Sequence, residues 1–521
     1  MITNLKALVV VLGIAAAVFH ALKPTVLRFC DAADFARRRN VWFGLTIAGF
    51  LSPSFWIYAV VAAPVMLWAG KKDSNPISLF LLLCFVVPPD TFDVPGVFAF
   101  DNLRLLSLFL LLPAAIRFRG RPEERRQPKW ALVSFCLVGF WILETLVFLP
   151  PDLPDHTILA DSVTNVLRRA LLFFLDGYVV FWVTLRTLVT RRAIQETLVV
   201  FCLNCCVLAT LACFETVRHW LLFTSITFDW ASVSTEYNMR GGALRALVSS
   251  GGPLSLGYML AIAFGFWQYL KIGEPSRLRS IGVDIVLWLG LLASYARGPW
   301  LGAFAIYVFY LALSPGAFKS ILKAVTLGGA LVALVLSLPI GTRILQGLPM
   351  FGGSVNTDTI DYRSRLLHRS IELILDSPFF GDQLAFLKME DLRQGQGIID
   401  LTNTYLQVAL DYGLIGLALF SGVLIFATAK TWRLSRRLVR SDRDDGMLGI
   451  CLVACGLGTI FMLADNSFML AYEMFYFVLA GLMGAYVNAA RSIPVAASNA
   501  ARAPSGGLKP RAAGRPGSNA A

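Results

Sequence analysis

The sequence predicts an all-α membrane protein, a polytopic helix bundle of about 12–15 spans with one long periplasmic loop that contains an amphipathic helix. Three observations carry this. Hydrophobic residues make up 57% of the 521 and charged residues only 15%, against about a quarter charged in an average soluble domain. Apolar runs of about twenty residues, enough for a hydrocarbon core of about 30 Å, recur along almost the whole chain. The net charge of +13 gathers in short stretches: Arg117 to Lys129, Arg186 to Arg192, Lys271 to Arg279, Lys430 to Arg443 and Arg491 to Arg515. That spacing is the mark of cytoplasmic loops under the positive-inside rule, and it argues against nucleic acid as partner. A mean hydropathy of +0.66 leaves no room for a large soluble domain.

In chain order the candidate spans are 6–22, 41–69, 76–89, 103–116, 130–149, 170–185, 197–215, 254–271, 282–297, 299–313, 321–339, 402–428, 447–463 and 467–489. They divide the chain into N-terminal membrane helices (1–129), central helices with a periplasmic loop at 216–253 (130–253), a region with the long loop 341–401 (254–428), a C-terminal hairpin (429–489) and a disordered basic cytoplasmic tail (490–521). The first run, with Lys6 ahead of it, resembles a signal peptide without a clear cleavage site and reads as an uncleaved helix. The segment 41–69 is ambiguous. As one span it turns Arg37, Arg38 and Arg39 outward; divided at Pro53 into a hairpin, it turns them inward.

The nine cysteines are an odd number, and all but Cys30 lie in apolar runs, so they read as membrane-core residues. Cys202, Cys205 and Cys206 sit in mid-helix with no nearby His and do not suggest a metal. No Walker A sequence, dinucleotide fingerprint or HExxH is present. Asp442-Arg443-Asp444 resembles the acidic motif of sugar-nucleotide enzymes but falls in a cytoplasmic charge run and reads as a solvated loop.

Five arginines map to the outer side, where positive charge is statistically disfavoured: Arg240, Arg245, Arg297, Arg363 and Arg365. Leu367, Ile371 and Ile374 oppose an arc of Arg365, His368, Arg369 and Glu372, which predicts an amphipathic helix ended by Asp376-Ser377-Pro378. Arg363 and Arg365 would begin it and oppose its dipole unless an anion compensates. A bound diphosphate would do so, since Arg offers bidentate hydrogen bonds and stays charged when desolvated. The alternative is that these side chains snorkel to headgroups or pair with Asp358, Asp361 and Glu372. The next span opens at Asp400-Leu401-Thr402-Asn403-Thr404 with several possible caps and an outward N-terminus. Asn403, Gln407 and Asp411 follow at i, i+4, i+8 as a polar stripe about 12 Å long, and ionisable residues at such depth usually face a functional cavity. Of the four histidines, His368 alone adjoins the arginines. Asp465 and Asn466 read as a turn, the alternative being that they line the same cavity.

Ser294-Tyr295-Ala296-Arg297-Gly298-Pro299-Trp300, then Tyr362-Arg363-Ser364-Arg365-Leu366-Leu367 leading to Asp376-Ser377-Pro378-Phe379-Phe380-Gly381, then Asn403-Thr404-Tyr405-Leu406-Gln407 with Asp411-Tyr412-Gly413-Leu414-Ile415-Gly416-Leu417, together resemble the conserved half of the O-antigen ligase and Wzy-type polymerase superfamily, over about residues 240–425. The resemblance implies a bacterial inner-membrane glycosyltransferase, C-terminus in the cytoplasm, that uses glycans carried on undecaprenyl diphosphate at the periplasmic face, with neither nucleotide nor metal cofactor. Arg297 matches the family's arginine after the serine-rich span, and Arg365 or Arg363 the one in the outer loop. Ligases of the family place His immediately before the third motif's Asn. Here that residue is Thr402, which cannot serve as a base near neutral pH. Asp400, Asp411 or His368 could take the acceptor proton instead.

The expected catalytic set is therefore Arg297, Arg365, Asp400, Asp411 and His368; Arg240, Arg245, Arg363, Asn403 and Gln407 are expected to bind substrate. The leading expectation is a repeat-unit polymerase of an exopolysaccharide or O-antigen. A glycan ligase and a lipid-linked glycan flippase or transporter are alternatives. Expected partners are the lipid-linked glycan, the bilayer, and a chain-length regulator or flippase.

Overall fold

Apolar runs become helices throughout the computed structural model, which describes residues 2–89, 92–93, 99–117, 131–148, 171–231, 239–240, 242–319, 321–323, 325–326, 357–393, 399, 401, 403–466 and 470–502. The first half holds α1 (Ile2–Val26), α2 (Ala32–Leu51), α3 (Phe55–Lys72), α4 (Pro76–Leu83), α5 (Asn102–Leu106) joined by a π-helical turn to α6 (Leu112–Arg117), α7 (Ala131–Phe148), α8 (Val180–Thr187) and α9 (Arg191–Arg218). The second half holds α10 (Thr224–Ala231), α11 (Pro253–Leu270), α12 (Arg277–Ala293), α13 (Arg297–Leu313), α14 (Thr357–Asp376), α15 (Thr404–Ser441), α16 (Arg443–Leu463) and α17 (Leu470–Arg502). Two short antiparallel hairpins interrupt them, β1 (Phe92–Asp93) with β2 (Ala99–Phe100) and β3 (Met239–Arg240) with β4 (Ala243–Leu244). Among the described residues five helices, in α1, α9, α15, α16 and α17, are long and apolar enough to cross a membrane; α7 and α13 are shorter apolar helices. The chain is an all-α, multi-pass bundle.

Its centre is α9, which is buried on nearly every side and packs against α1, α4, α11 and α12. A helix apolar around its whole circumference belongs in a core. The thiols of Cys202 and Cys205 point at the Ala263 and Met259 carbonyls of α11, the packing role expected of them.

Pro53 divides the ambiguous segment: α2 stops at Leu51 and α3 begins at Phe55. Arg37, Arg38 and Arg39 lie in the first turns of α2, at one end of the bundle. Arg38, 1% exposed, donates to Asp73 at 2.6 and 2.9 Å and to Glu196 at 2.6 Å. A buried guanidinium is tolerable only with such complete pairing. Thr25 and Arg28 bond Glu274 at 2.8 and 3.2 Å. The loop after α1 thus shares its end of the molecule with the basic stretches at 186–192 and 271–279, as the divided reading requires. Asp442-Arg443-Asp444 lies at this end too and is more than a solvated loop. Asp442 caps α16 through the Asp444 and Asp445 N–H groups, and Arg191 pairs with all three carboxylates.

Two further departures concern helix ends. The span expected at 402–428 is broken at Gly413, whose φ of 64° and ψ of −170° are not helical. The loop after α14 enters the break: Leu414 and Ile415 N–H donate to the Pro378 and Phe379 carbonyls at 2.8 and 3.3 Å, and Asp382 N–H donates to the Leu410 carbonyl at 2.7 Å. Backbone groups freed inside an apolar helix must be satisfied by something, and here the loop does it. Residues 490–502, expected to be disordered, continue α17 to Arg502; their alanine-rich composition favours helix. The span expected at 321–339 lies almost wholly outside the described residues.

Candidate functional site at the arginine end

At the end opposite Arg38 and Glu274, four elements meet around the turn after α16. Gly298, second residue of α13, faces that turn so closely that a Cβ there would stand 2.8 Å from Asp465 Oδ2 and 3.0 Å from Asn466 Oδ1. Thr404, first residue of α15 and fully buried, donates to the Asn466 carbonyl at 2.7 Å. Asn466 Nδ2 donates to the Met462 carbonyl at 2.8 Å. From α14, Arg363 Nη1 reaches Asp465 Oδ1 at 3.4 Å. Starts of helices, a turn and the loop helix are thereby tied into one corner.

Arg297 opens α13, exposed, with Ala296 as N-cap and no side-chain cap bond. The unsatisfied N–H groups and the guanidinium put positive charge in one place, a favourable position for an anion. Just before it, Tyr295 is left-handed at φ 47°, and the Ser294 carbonyl accepts from Arg245 Nε at 3.4 Å. Arg245 is held there by its own loop. The Ala246 N–H donates to the Ala293 carbonyl at 3.0 Å, and Thr216 reaches the Leu244 and Ala293 carbonyls. The fully buried Glu215 carboxylate accepts from the Leu222, Leu247 and Val248 N–H groups at 2.8, 3.1 and 2.9 Å.

The amphipathic helix exists but begins earlier and faces differently from the expectation. It starts at Thr357, so Arg363 and Arg365 lie beyond its first turn, where the dipole has faded, and the cost expected for them does not arise. The penalty falls on Arg297 instead. Leu366, Ser370 and Leu373 form the buried face, and its two leucines join Ala385, Met389, Leu392 and Leu410 in a small separate core, whereas Leu367 and Ile371 are exposed at 42% and 45%. Two positions apart on a helix, Arg363 and Arg365 flank the buried face on opposite sides. Only Arg363 reaches Asp465. Arg365 is exposed, and neither it nor Arg297 makes an ion pair among the described residues.

His368 is exposed, with Nδ1 2.8 Å from the Ser364 carbonyl; a carbonyl only accepts, so Nδ1 carries the proton of this bond and Nε2 is left for another partner. Asn403 caps α15 by accepting from the Tyr405 and Leu406 N–H groups at 2.9 and 3.2 Å. Its side-chain oxygen is committed, which weakens the polar stripe expected from Asn403 through Gln407 to Asp411. Those last two are half-buried on the first two turns of α15, before the break. Arg240 lies in β3. Asp400 and Thr402 fall outside the described residues.

Four residues that sequence reasoning passed over or gave a lesser part complete the corner. Asp465 and Asn466 are central to it, Glu215 fixes the loop carrying Arg245, and the Tyr362 hydroxyl is buried without a partner. Their only local signals were a polar pair in a turn and a carboxylate near a helix end. Among the described residues no group of three or more His, Cys, Asp or Glu side chains is placed to hold a metal ion.

No curated protein matches the chain. Residues 282–421 match the family model described as O-antigen ligase, a stretch that runs from α12 through the break in α15 and contains Arg297, Arg363 and Arg365. Over those residues the chain is similar to an O-antigen ligase domain, which is consistent with the O-antigen ligase and Wzy-type polymerase superfamily.

Proposed function

We propose that this protein is a glycosyltransferase of the bacterial inner membrane that polymerises repeat units carried on undecaprenyl diphosphate. The observation that supports this most directly is the corner itself. Arg297 opens a helix whose next residue abuts the Asp465–Asn466 turn, and Arg363 reaches the same turn from the loop helix. Arg245 stands against the residues just before Arg297. An acceptor sugar hydroxyl attacks the anomeric carbon; the new C–O bond forms as the bond to the diphosphate oxygen breaks, and negative charge grows on the leaving group. Fixed guanidinium groups and a helix N-terminus aimed at that charge lower the barrier, and each such donor is worth about 3 kcal/mol in a preorganised site. The hydroxyl proton passes to a carboxylate or imidazole, with His368 Nε2, Asp411 and Asp400 as the candidates.

A second reading, transfer of a finished glycan to an acceptor that carries no lipid diphosphate, such as lipid A core or a protein, is favoured by the description of the matched family. Thr402 in place of the ligase histidine tips the choice toward polymerase. Purified protein supplied with lipid-diphosphate repeat units separates the two. A ladder of products with release of undecaprenyl diphosphate supports polymerisation; one transfer to a different acceptor and no ladder supports ligation; movement of the lipid across the bilayer without product removes both.

A further inference from the structure

Far from the arginine corner, α2 and α3 leave between them an open groove of about 610 Å³. Both walls come from single helix faces. On α2 they are Val41 and Leu45, at i and i+4; on α3 they are Val61 and Val65 at the same spacing, followed by Trp68. The floor is bare at Gly44, where a Cβ would meet nothing within 4 Å. Towards the middle of the helices the lining is apolar. At the Arg38 end it changes character, with Arg37, Asn40 and Lys72.

The polar end is built of cations, with their positions fixed. Arg37 pairs with Asp34 and stands 3.7 Å from Asp73, yet its Nε is buried with no hydrogen-bond partner. Lys72 is exposed and leans on the Trp68 ring, Nζ 5.0 Å from its centroid. The Asn40 side-chain oxygen accepts from Arg39 at 3.0 Å, which leaves the amide N–H₂ of this groove-lining residue as its donor. Between Val61 and Lys72 the helix rises about 17 Å at 1.5 Å per residue, the length of most of an acyl chain. Outside the groove α3 exposes Trp56, Ile57 and Val60, a surface that suits hydrocarbon.

We propose that this groove binds an anionic glycerophospholipid of the phosphatidylglycerol class, headgroup phosphate against Lys72, Asn40 and Arg37, one acyl chain over Gly44 between the valines. Charge complementarity selects the occupant: donors and cations stand at one end only, and basic pockets between membrane helices draw anionic headgroups at about fivefold in affinity per cation. The site is independent of the sugar-transfer reading and stands or falls separately from it.

The test uses the full-length protein, delipidated in detergent and titrated with phosphatidylglycerol or with phosphatidylcholine of the same chains, the first bound lipid being read by native mass spectrometry. Phosphatidylglycerol is expected to bind about fivefold tighter or better. Arg37→Gln combined with Lys72→Gln abolishes that preference. Gly44→Leu fills the groove without altering charge and weakens the first site for phosphatidylglycerol, so it decides the matter even where the double variant folds poorly. Equal binding of the two lipids, unchanged binding by Gly44→Leu, or displacement of phosphatidylglycerol by equimolar undecaprenyl phosphate overturns the assignment.

Discussion

Arg297 and Arg365 share an exposed guanidinium with no carboxylate partner among the described residues, but only Arg297 also stands at a helix N-terminus. If both serve the departing diphosphate, Arg297→Ala and Arg365→Ala each lower turnover by two or more orders of magnitude, about 3 kcal/mol. Membrane insertion and the thermal transition stay as in the parent. Turnover assayed on lipid-linked repeat units checks this, and full activity in both variants removes the arginine mechanism. Gly298→Ala is a sharper probe of the corner. The added methyl crowds Asp465 Oδ2 and Asn466 Oδ1, so these two side-chain ends must swing away from α13. The expected result is loss of most activity with unchanged helical circular dichroism. By contrast the Arg363–Asp465 pair is half-exposed on both sides, and breaking it with Asp465→Asn shifts stability by less than about 1 kcal/mol.

The element that couples loop to bundle is the broken helix α15. Gly381, at φ 77°, lies so near the break that a Cβ would stand 2.5 Å from Gly413 N and from the Leu410 carbonyl oxygen. Both the left-handed backbone and the contact forbid a side chain, and Gly381→Ala is expected to cost about 2 kcal/mol or more. A lowered Tm in detergent, together with protease sensitivity at 377–393, measures it. Apolar runs in the sequence located α9, α11 and α16 because burial on all sides needs nothing but hydrophobicity. The same runs could not reveal the break in α15: apolar residues continue on both sides of Gly413, and what makes the break tolerable is hydrogen bonding to the Pro378 and Phe379 carbonyls, over thirty residues away. The buried face of α14 was misjudged for a similar reason. Leu366 and Leu373 are chosen by the presence of Met389 and Leu410, while Leu367 and Ile371, equally apolar, are left outside.

Across the whole molecule, charge divides into two ends with different chemistry. At one end cations are matched by carboxylates: Arg38 with Asp73 and Glu196, Arg191 with three aspartates, and Glu274 with Arg28 and Arg279. Burial alone would push the Glu274 carboxyl up, but the Thr25 hydroxyl, the Ser276 N–H, Arg279 and Arg28 outweigh it and hold it below the usual glutamate range. A carboxyl with a depressed folded-state pKa contributes stability above its unfolded value, about 4.3, and loses it as the pH falls through the folded value. Thermal unfolding in detergent should therefore separate the parent from Glu274→Gln near pH 7, with the gap closing below about pH 4; a gap independent of pH contradicts the clamp.

Composition, hydropathy and the placing of lysine and arginine were enough to specify a multi-pass helical bundle and the residues worth suspecting, because the hydrophobic effect and the cost of burying charge act on residues one at a time. Tertiary structure alone decided that Pro53 splits a helix, that Arg363 rather than Arg365 meets Asp465, and that Asp465 and Asn466 belong with Arg297. Those are pairings between residues up to about 170 positions apart, and direction and distance across such separations exist only once the helices have packed.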